Sequence, residues 1–144
     1  MDNKSGILRD LAVRLESVNW AIIGSTGLEL HAKEERLGDI DILTDSKEAY
    51  VINNFLKALE VVPVSYSESS IFRSHFGKFK IGMFDIEVMG DMEYFASGKW
   101  HSMQHIIDSH TSVELEGLSI PVAYLEDLMA VYKDLKIKGY KNLL

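Results

Sequence analysis

The chain has 144 residues and a mass of 16.3 kDa, which predicts one domain spanning residues 1–144 and excludes an enzyme with separate cofactor and substrate domains. It has no cysteine, which excludes a disulfide framework, a thiolate zinc site and a cysteine nucleophile. Fifteen basic against 22 acidic residues leave a net charge of −7, which argues against a nucleic-acid partner, because nonspecific phosphate binding needs clustered Lys and Arg.

The first segment places Ile7, Leu8, Leu11, Ala12 and Leu15 on one helical face, with Ser5 as its cap. Charges at Arg9, Asp10, Arg14 and Glu16 interrupt any signal-peptide core, and no apolar run approaches the ~20 residues of a membrane span. A cytoplasmic protein without a membrane partner is the expectation. Trp20 to Ile23 reads as a buried strand ending at Gly24, followed by a helix from Thr26 to about Glu35. Asp39 to Leu43 alternates as a strand, and Asp45 with Glu48 forms a capping box for a helix through Leu59. A short strand at Val61 to Val64 is broken by Pro63. Strands at Ile71 to Phe76 and Phe79 to Met83 flank a turn at Gly77-Lys78. Phe84 to Val88 is a third strand, ended by Gly90-Asp91. Lys99 to Asp108 reads as helix, and Val113 to Leu115 with Leu118 to Ile120 as a hairpin turning at Glu116-Gly117. The last helix carries Leu125, Leu128, Met129, Tyr132, Leu135 and Lys136 at helical spacing, with Gly139 as its C-terminal cap. The sum is an α/β (α+β) fold, a mixed β-sheet with flanking helices.

Two strands present acids in the same way. Asp39 and Asp41 share one face because strand side chains repeat every two residues, while Ile40 and Ile42 face the other way. Asp85 and Glu87 repeat the pattern between Phe84, Ile86 and Val88. Neighbouring strands would bring these carboxylates together, and like charges at ~4 Å repel by about 1 kcal/mol even in water. Hard oxygen ligands suit Mg²⁺ or Mn²⁺, and two such ions can hold the attacking and leaving oxygens of a phosphoryl transfer. The bland alternative is the wet face of a half-exposed sheet. Upstream, Gly24 allows close backbone approach to a ligand, and Ser25 with the following amides can donate to phosphate oxygens at a helix N-terminus.

Gly24-Ser25, thirteen intervening residues and Asp39-Ile40-Asp41-Ile42 together resemble the signature of the DNA polymerase beta-like nucleotidyltransferase superfamily. Phe84-Asp85-Ile86 is similar to that superfamily's later apolar-Asp-apolar strand, with Glu87 in reserve. Leu125-Glu126-Asp127-Leu128 and Lys133 look like the terminal helix of its small members, although Asn142 stands where they carry Asp. The resemblance implies a nucleotidyltransferase fold. It implies transfer of a nucleoside monophosphate from a nucleoside triphosphate to an acceptor hydroxyl, with release of pyrophosphate. Gly24 and Ser25 would grip the triphosphate, and Asp39 and Asp41 would hold Mg²⁺ or Mn²⁺. Asp85 would bind a second ion or act as general base. The acceptor would be a small molecule or a protein side chain, and its site could involve a second copy or a separate chain. The alternative is a non-catalytic nucleotide-binding or antitoxin-like partner of the same fold.

Arg73, Lys78 and Lys80 are exposed cations or phosphate contacts on the central strands. His101 and His105, four apart on the expected helix, could share a metal, but the Glu of a zincin is absent between them. Tyr94, Phe95 and Trp100 read as core or interface aromatics before a stacking surface. Ser25 lacks the Gly-x-Ser-x-Gly elbow of a hydrolase.

Overall fold

The structure, a computed structural model, describes residues 3–32 and 38–136. Five α-helices are present among them: α1 (Lys4–Arg14), α2 (Gly24–Ala32), α3 (Ser46–Phe55), α4 (Gln104–Asp108) and α5 (Leu125–Asp134), and a single 3-10 turn at Lys57–Leu59 follows α3 where the sequence predicts the helix to run on to Leu59. The strands are β1 (Ala21–Ile23), β2 (Ile40–Thr44), β3 (Glu60–Glu68), β4 (Phe72–Ile81), β5 (Phe84–Ala96), β6 (Lys99–Ser102), β7 (Thr111–Leu115) and β8 (Leu118–Val122). They form one sheet in the order β3-β4-β5-β2-β1-β8-β7, with β6 added to the far part of β5. β5 and β2 run parallel, as do β1 and β8, and the other pairs are antiparallel. This is the mixed sheet with flanking helices that the alternation of elements predicts.

Strand parity sorts the core into two layers. Ile22, Ile40, Ile42, Ile86 and Val88 pack with Leu8 and Leu11 of α1 and Ile52 of α3. Their odd-numbered neighbours Ile23, Leu43 and Met89 face Leu128 of α5 and Ile106 of α4. β1 has no wet face, and all its residues are buried, as a central strand covered on both sides requires. Asp41 and Glu87 share the odd parity, so the sheet points them toward the α5 side.

Several elements differ from the expectation. Asn3, not Ser5, caps α1 by accepting the Gly6 amide at 2.7 Å. α2 begins at Gly24, two residues before Thr26, and its expected end lies outside the described residues. β3 runs through Pro63, which an edge strand tolerates because its amide would face solvent; register shifts accommodate it. Gly77 makes no turn but sits inside β4, where a Cβ would stand 2.6 Å from Val64 Cγ2 of β3. Gly90 likewise does not end β5: it admits α3, and a Cβ there would stand 2.8 Å from that of Ala49. Lys99–Ser102 is strand rather than helix, because it pairs with Glu93–Ala96 of β5. The hairpin of β7 and β8 turns at Glu116-Gly117, both with positive φ, and the Asp45 cap accepts the Glu48 amide at 2.7 Å. α5 ends at Asp134; the Gly139 cap and Asn142 lie outside the described residues.

Candidate active site

β1 delivers the chain to Gly24, whose φ of +70° lies in the left-handed region that favours glycine. The close approach matters as much as the angle. A Cβ on Gly24 would stand 2.5 Å from Asp41 Oδ2, so only glycine lets the start of α2 lie against this carboxylate. Buried Thr26 in the first turn of α2 donates its hydroxyl to the Asp39 carbonyl at 2.9 Å. That bond ties the helix to the entry of β2. Ser25 is exposed beside the same entry, with its Oγ 3.5 Å from where a Gly38 Cβ would be.

Across the β2–β5 pair, Asp41 is in register with Glu87, and Ile40 with Ile86. Aligned strands lie ~4.8 Å apart, so Asp41 and Glu87 project side by side. Burial, with Glu87 and then Asp39 nearby, pushes the Asp41 carboxyl up to about 7; Lys4 acts in the opposite direction. Glu87 is also raised, first by burial and then by Asp39 and Asp85, against the lowering effect of Lys78. Asp39 is exposed at the open end of this row. Asp85, one pleat from Glu87, lies 3.6 Å from Lys78 and 3.4 Å from Lys80.

Lys4, which no sequence pattern singled out, is 1% exposed and bonds both Glu29 oxygens at 3.1 and 2.8 Å. It joins α1 to α2 beneath the acids. Tyr132 reads from sequence only as part of the α5 stripe. Burial and the nearby charges of Asp41 and Glu29 raise its phenol above the ordinary value. A lysine on an amphipathic helix and a tyrosine on an apolar stripe carry no sequence signal of a site.

Asp41, Glu87, Gly24 and Tyr132 line a cavity of about 340 Å³ between the sheet and α5. Asp39, Ser25 and Asp85 do not line it. Among the described residues, no three Asp, Glu or His side chains form a ready-made metal cage. Yet magnesium is usually held by one or two carboxylates plus substrate phosphates rather than by an all-protein cage. Paired oxygen donors, with Asp41 raised first by burial and then by Glu87, suit such an ion.

The two histidines do not form a metal pair. His101, on β6, stacks on Tyr94 with ring centroids 5.1 Å apart, whereas His105, on α4, lies 3.8 Å from Asp127. Trp100 is edge-on to Phe95 and lies under Arg73, whose guanidinium is 4.2 Å from the ring centroid. Arg73 also bonds Glu93 at 2.5 Å. No helix among the described residues is long and apolar enough to cross a membrane.

This fold is that of nucleotidyltransferases. Residues 8–143 match the aminoglycoside-2″-adenylyltransferase family model, and the chain belongs to that family. A Thermotoga maritima protein proposed as a nucleotidyltransferase is 30% identical, with a TM-score of 0.83 over 96% of this chain and 88% of that one. The lincosamide antibiotic adenylyltransferase LnuA, solved with lincomycin, shares the fold at 17% identity and a TM-score of 0.60, over 100% and 99% of the two chains. ANT(2″)-Ia, solved with adenylyl-2″-tobramycin, does so at 10% and 0.58, over 97% and 86%. No curated protein matches the chain by sequence. The chain is therefore nucleotidyltransferase-like and related to antibiotic adenylyltransferases.

Proposed function

We propose that residues 1–144 act as one nucleotidyltransferase domain of the DNA polymerase beta-like type. It moves a nucleoside monophosphate from a nucleoside triphosphate to an acceptor hydroxyl. The carrying observation is the approach of Gly24 to Asp41, which sets a helix N-terminus against a row of carboxylates. The first amides of a helix have no partner within it and favour anions, so the triphosphate belongs at Gly24 and Ser25.

Asp39 and Asp41 would hold Mg²⁺ or Mn²⁺, with Asp85 completing the set from β5. When bound, such ions neutralise charge on the phosphates and on the leaving pyrophosphate. Glu87 is in register with Asp41 and open to the cavity, so it is suited to take the acceptor proton as general base. Lys78 and Lys80, beside Asp85, can turn to phosphate oxygens once a cation satisfies that carboxylate. Tyr132 and α5 cover the acids and exclude water.

The experiment is incubation of the chain with ATP labelled at the α-phosphate, Mg²⁺ and a panel of hydroxyl-bearing small molecules and proteins. Label transferred to an acceptor, with one pyrophosphate released per transfer, is the expected result. Release of orthophosphate with no α-label transferred to any acceptor would contradict the proposal.

A further inference from the structure

The cavity beside Asp41 and Glu87 also restricts what can enter it. Its wall is largely apolar, built on Phe72 and Phe76 of β4, Met89 and Met92 of β5, and Leu128 and Val131 of α5. Asp41 and Glu87 are its only charged lining residues among those described, and both are needed for the reaction proposed above. A polycation would therefore bury ammonium groups against apolar wall, which is costly without partners. Polarizable, unbranched methionines instead adapt to an irregular apolar surface.

One polar feature lies away from the acids. Ser74 is 6% exposed and lines the cavity from β4, two strands from β2. Its backbone faces Ser67 in the β3–β4 ladder, and its side chain lines the cavity. A hydroxyl that opens onto a largely apolar cavity offers an entering ligand a hydrogen bond at that point. Ser67 and Ser69 stand on the same side of the cavity.

We propose that this cavity is the acceptor pocket and selects an uncharged, largely apolar small molecule with two polar ends. A hydroxyl lies at Asp41 and Glu87, and a hydrogen-bonding group lies at Ser74. This rests on the nucleotidyl-transfer reading. The hydroxyl oxygen forms a bond to the α-phosphorus of the nucleoside triphosphate, and the bond from that phosphorus to the bridging oxygen breaks. Pyrophosphate leaves with the electron pair, and the hydroxyl proton passes to Glu87. The polycationic acceptors of the tobramycin type are excluded by the wall, not by the catalytic residues.

The test titrates the full chain by calorimetry with n-hexyl β-D-glucopyranoside, a neutral amphiphile, and with tobramycin. It then assays transfer of α-label from Mg-ATP to each. The glucoside binds saturably and accepts label, and tobramycin does neither. Ser74→Ala weakens glucoside binding about fivefold while leaving Mg-ATP binding unchanged. Met92→Glu, at a half-buried wall position, weakens it at least tenfold. Saturable tobramycin binding, no glucoside binding, or glucoside binding indifferent to both variants would overturn the proposal. Glucoside binding without label transfer, in a protein that transfers label to another acceptor, would overturn the acceptor role alone. Absence of transfer to every acceptor would count against the nucleotidyl-transfer reading instead.

Discussion

The centre of the sheet and its outer hairpin are built by different rules. β1, β2 and the first half of β5 are short or strictly alternating, buried on one or both faces, and carry the acids at fixed parity. β3, β4 and the far half of β5 extend outward, with Val61, Val62, Tyr66, Ile71 and Phe72 exposed, and they supply the outer cavity wall. The centre holds the charges that chemistry needs, at an electrostatic cost. The hairpin holds shape. Under the proposed function, this division would separate the transfer reaction from the choice of acceptor.

Substitutions should respect that division. Asp39→Asn and Asp41→Asn should each reduce nucleotide transfer by about 10³-fold or more, because charge stabilisation is the main contribution in such sites. Ser74→Ala on the hairpin should leave kcat at saturating acceptor almost unchanged. Steady-state kinetics would break the comparison if Ser74→Ala matched the aspartate variants. On β5 the two acids should separate. Glu87→Gln should lower kcat about 10²-fold at saturating Mg²⁺ and alter the acidic limb of the pH profile. Asp85→Asn should chiefly raise the Mg²⁺ concentration required.

Lys4→Ala removes one partner of a buried ion pair and leaves Glu29 unpaired, so it should cost about 3–5 kcal/mol in urea denaturation. Arg9→Ala, at an exposed pair with Glu116, should cost less than about 1 kcal/mol. Equal losses would contradict the structural role assigned to Lys4.

The pH dependence of stability follows from Asp41. Its carboxyl binds a proton more tightly in the folded chain, near 7, than at the ordinary value of 3.8. Between those limits the folded state holds more protons than the unfolded state, so stability falls as pH rises from about 4 to 7. Each tenfold difference in proton affinity is worth about 1.4 kcal/mol, and Glu87 titrates with Asp41, so the fall should be a few kcal/mol in metal-free buffer. Asp41→Asn should flatten the slope. Added Mg²⁺ should oppose it in the wild type above pH 7. A melting temperature that rises from pH 4 to 7 without metal, and equally in Asp41→Asn, would contradict the assignment.

A more modest effect than the loss of Lys4 lies in the hairpin. Gly77→Ala should cost about 1–3 kcal/mol through overpacking against Val64, and Val64→Ala should relieve part of it. Absence of that relief in a double-mutant cycle would show that the β3–β4 contact is not the cause.

The same contrast explains what was legible in the sequence. Asp39-Ile40-Asp41-Ile42 and Phe84-Asp85-Ile86-Glu87 state their faces locally, because parity alone fixes where each side chain points. The capping box at Asp45 and the turn at Glu116-Gly117 are equally local. The outer strands are not legible in the same way, because long-range pairing decides them. Gly77 reads as a turn until Val64 is known to cross it, and Gly90 reads as a stop until α3 is known to need its space. Lys99–Ser102 reads as helix because nothing in those residues announces β5 as their partner. The acids of the site were visible, but their cover was not. Lys4 and Tyr132 become notable only when α1 and α5 are packed around Asp41, and Ser74 only when a cavity opens before it.

If Asp39 and Asp41 form a nucleotide site as proposed, nucleotide binding must depend on a divalent cation. The direct measurement is calorimetric titration of a non-hydrolysable ATP analogue into wild type and Asp41→Asn, each with Mg²⁺ and with EDTA. Saturable binding to the wild type that requires Mg²⁺ and is lost in Asp41→Asn is the predicted result. Equal affinity in both proteins, or affinity indifferent to EDTA, would rule out such a site.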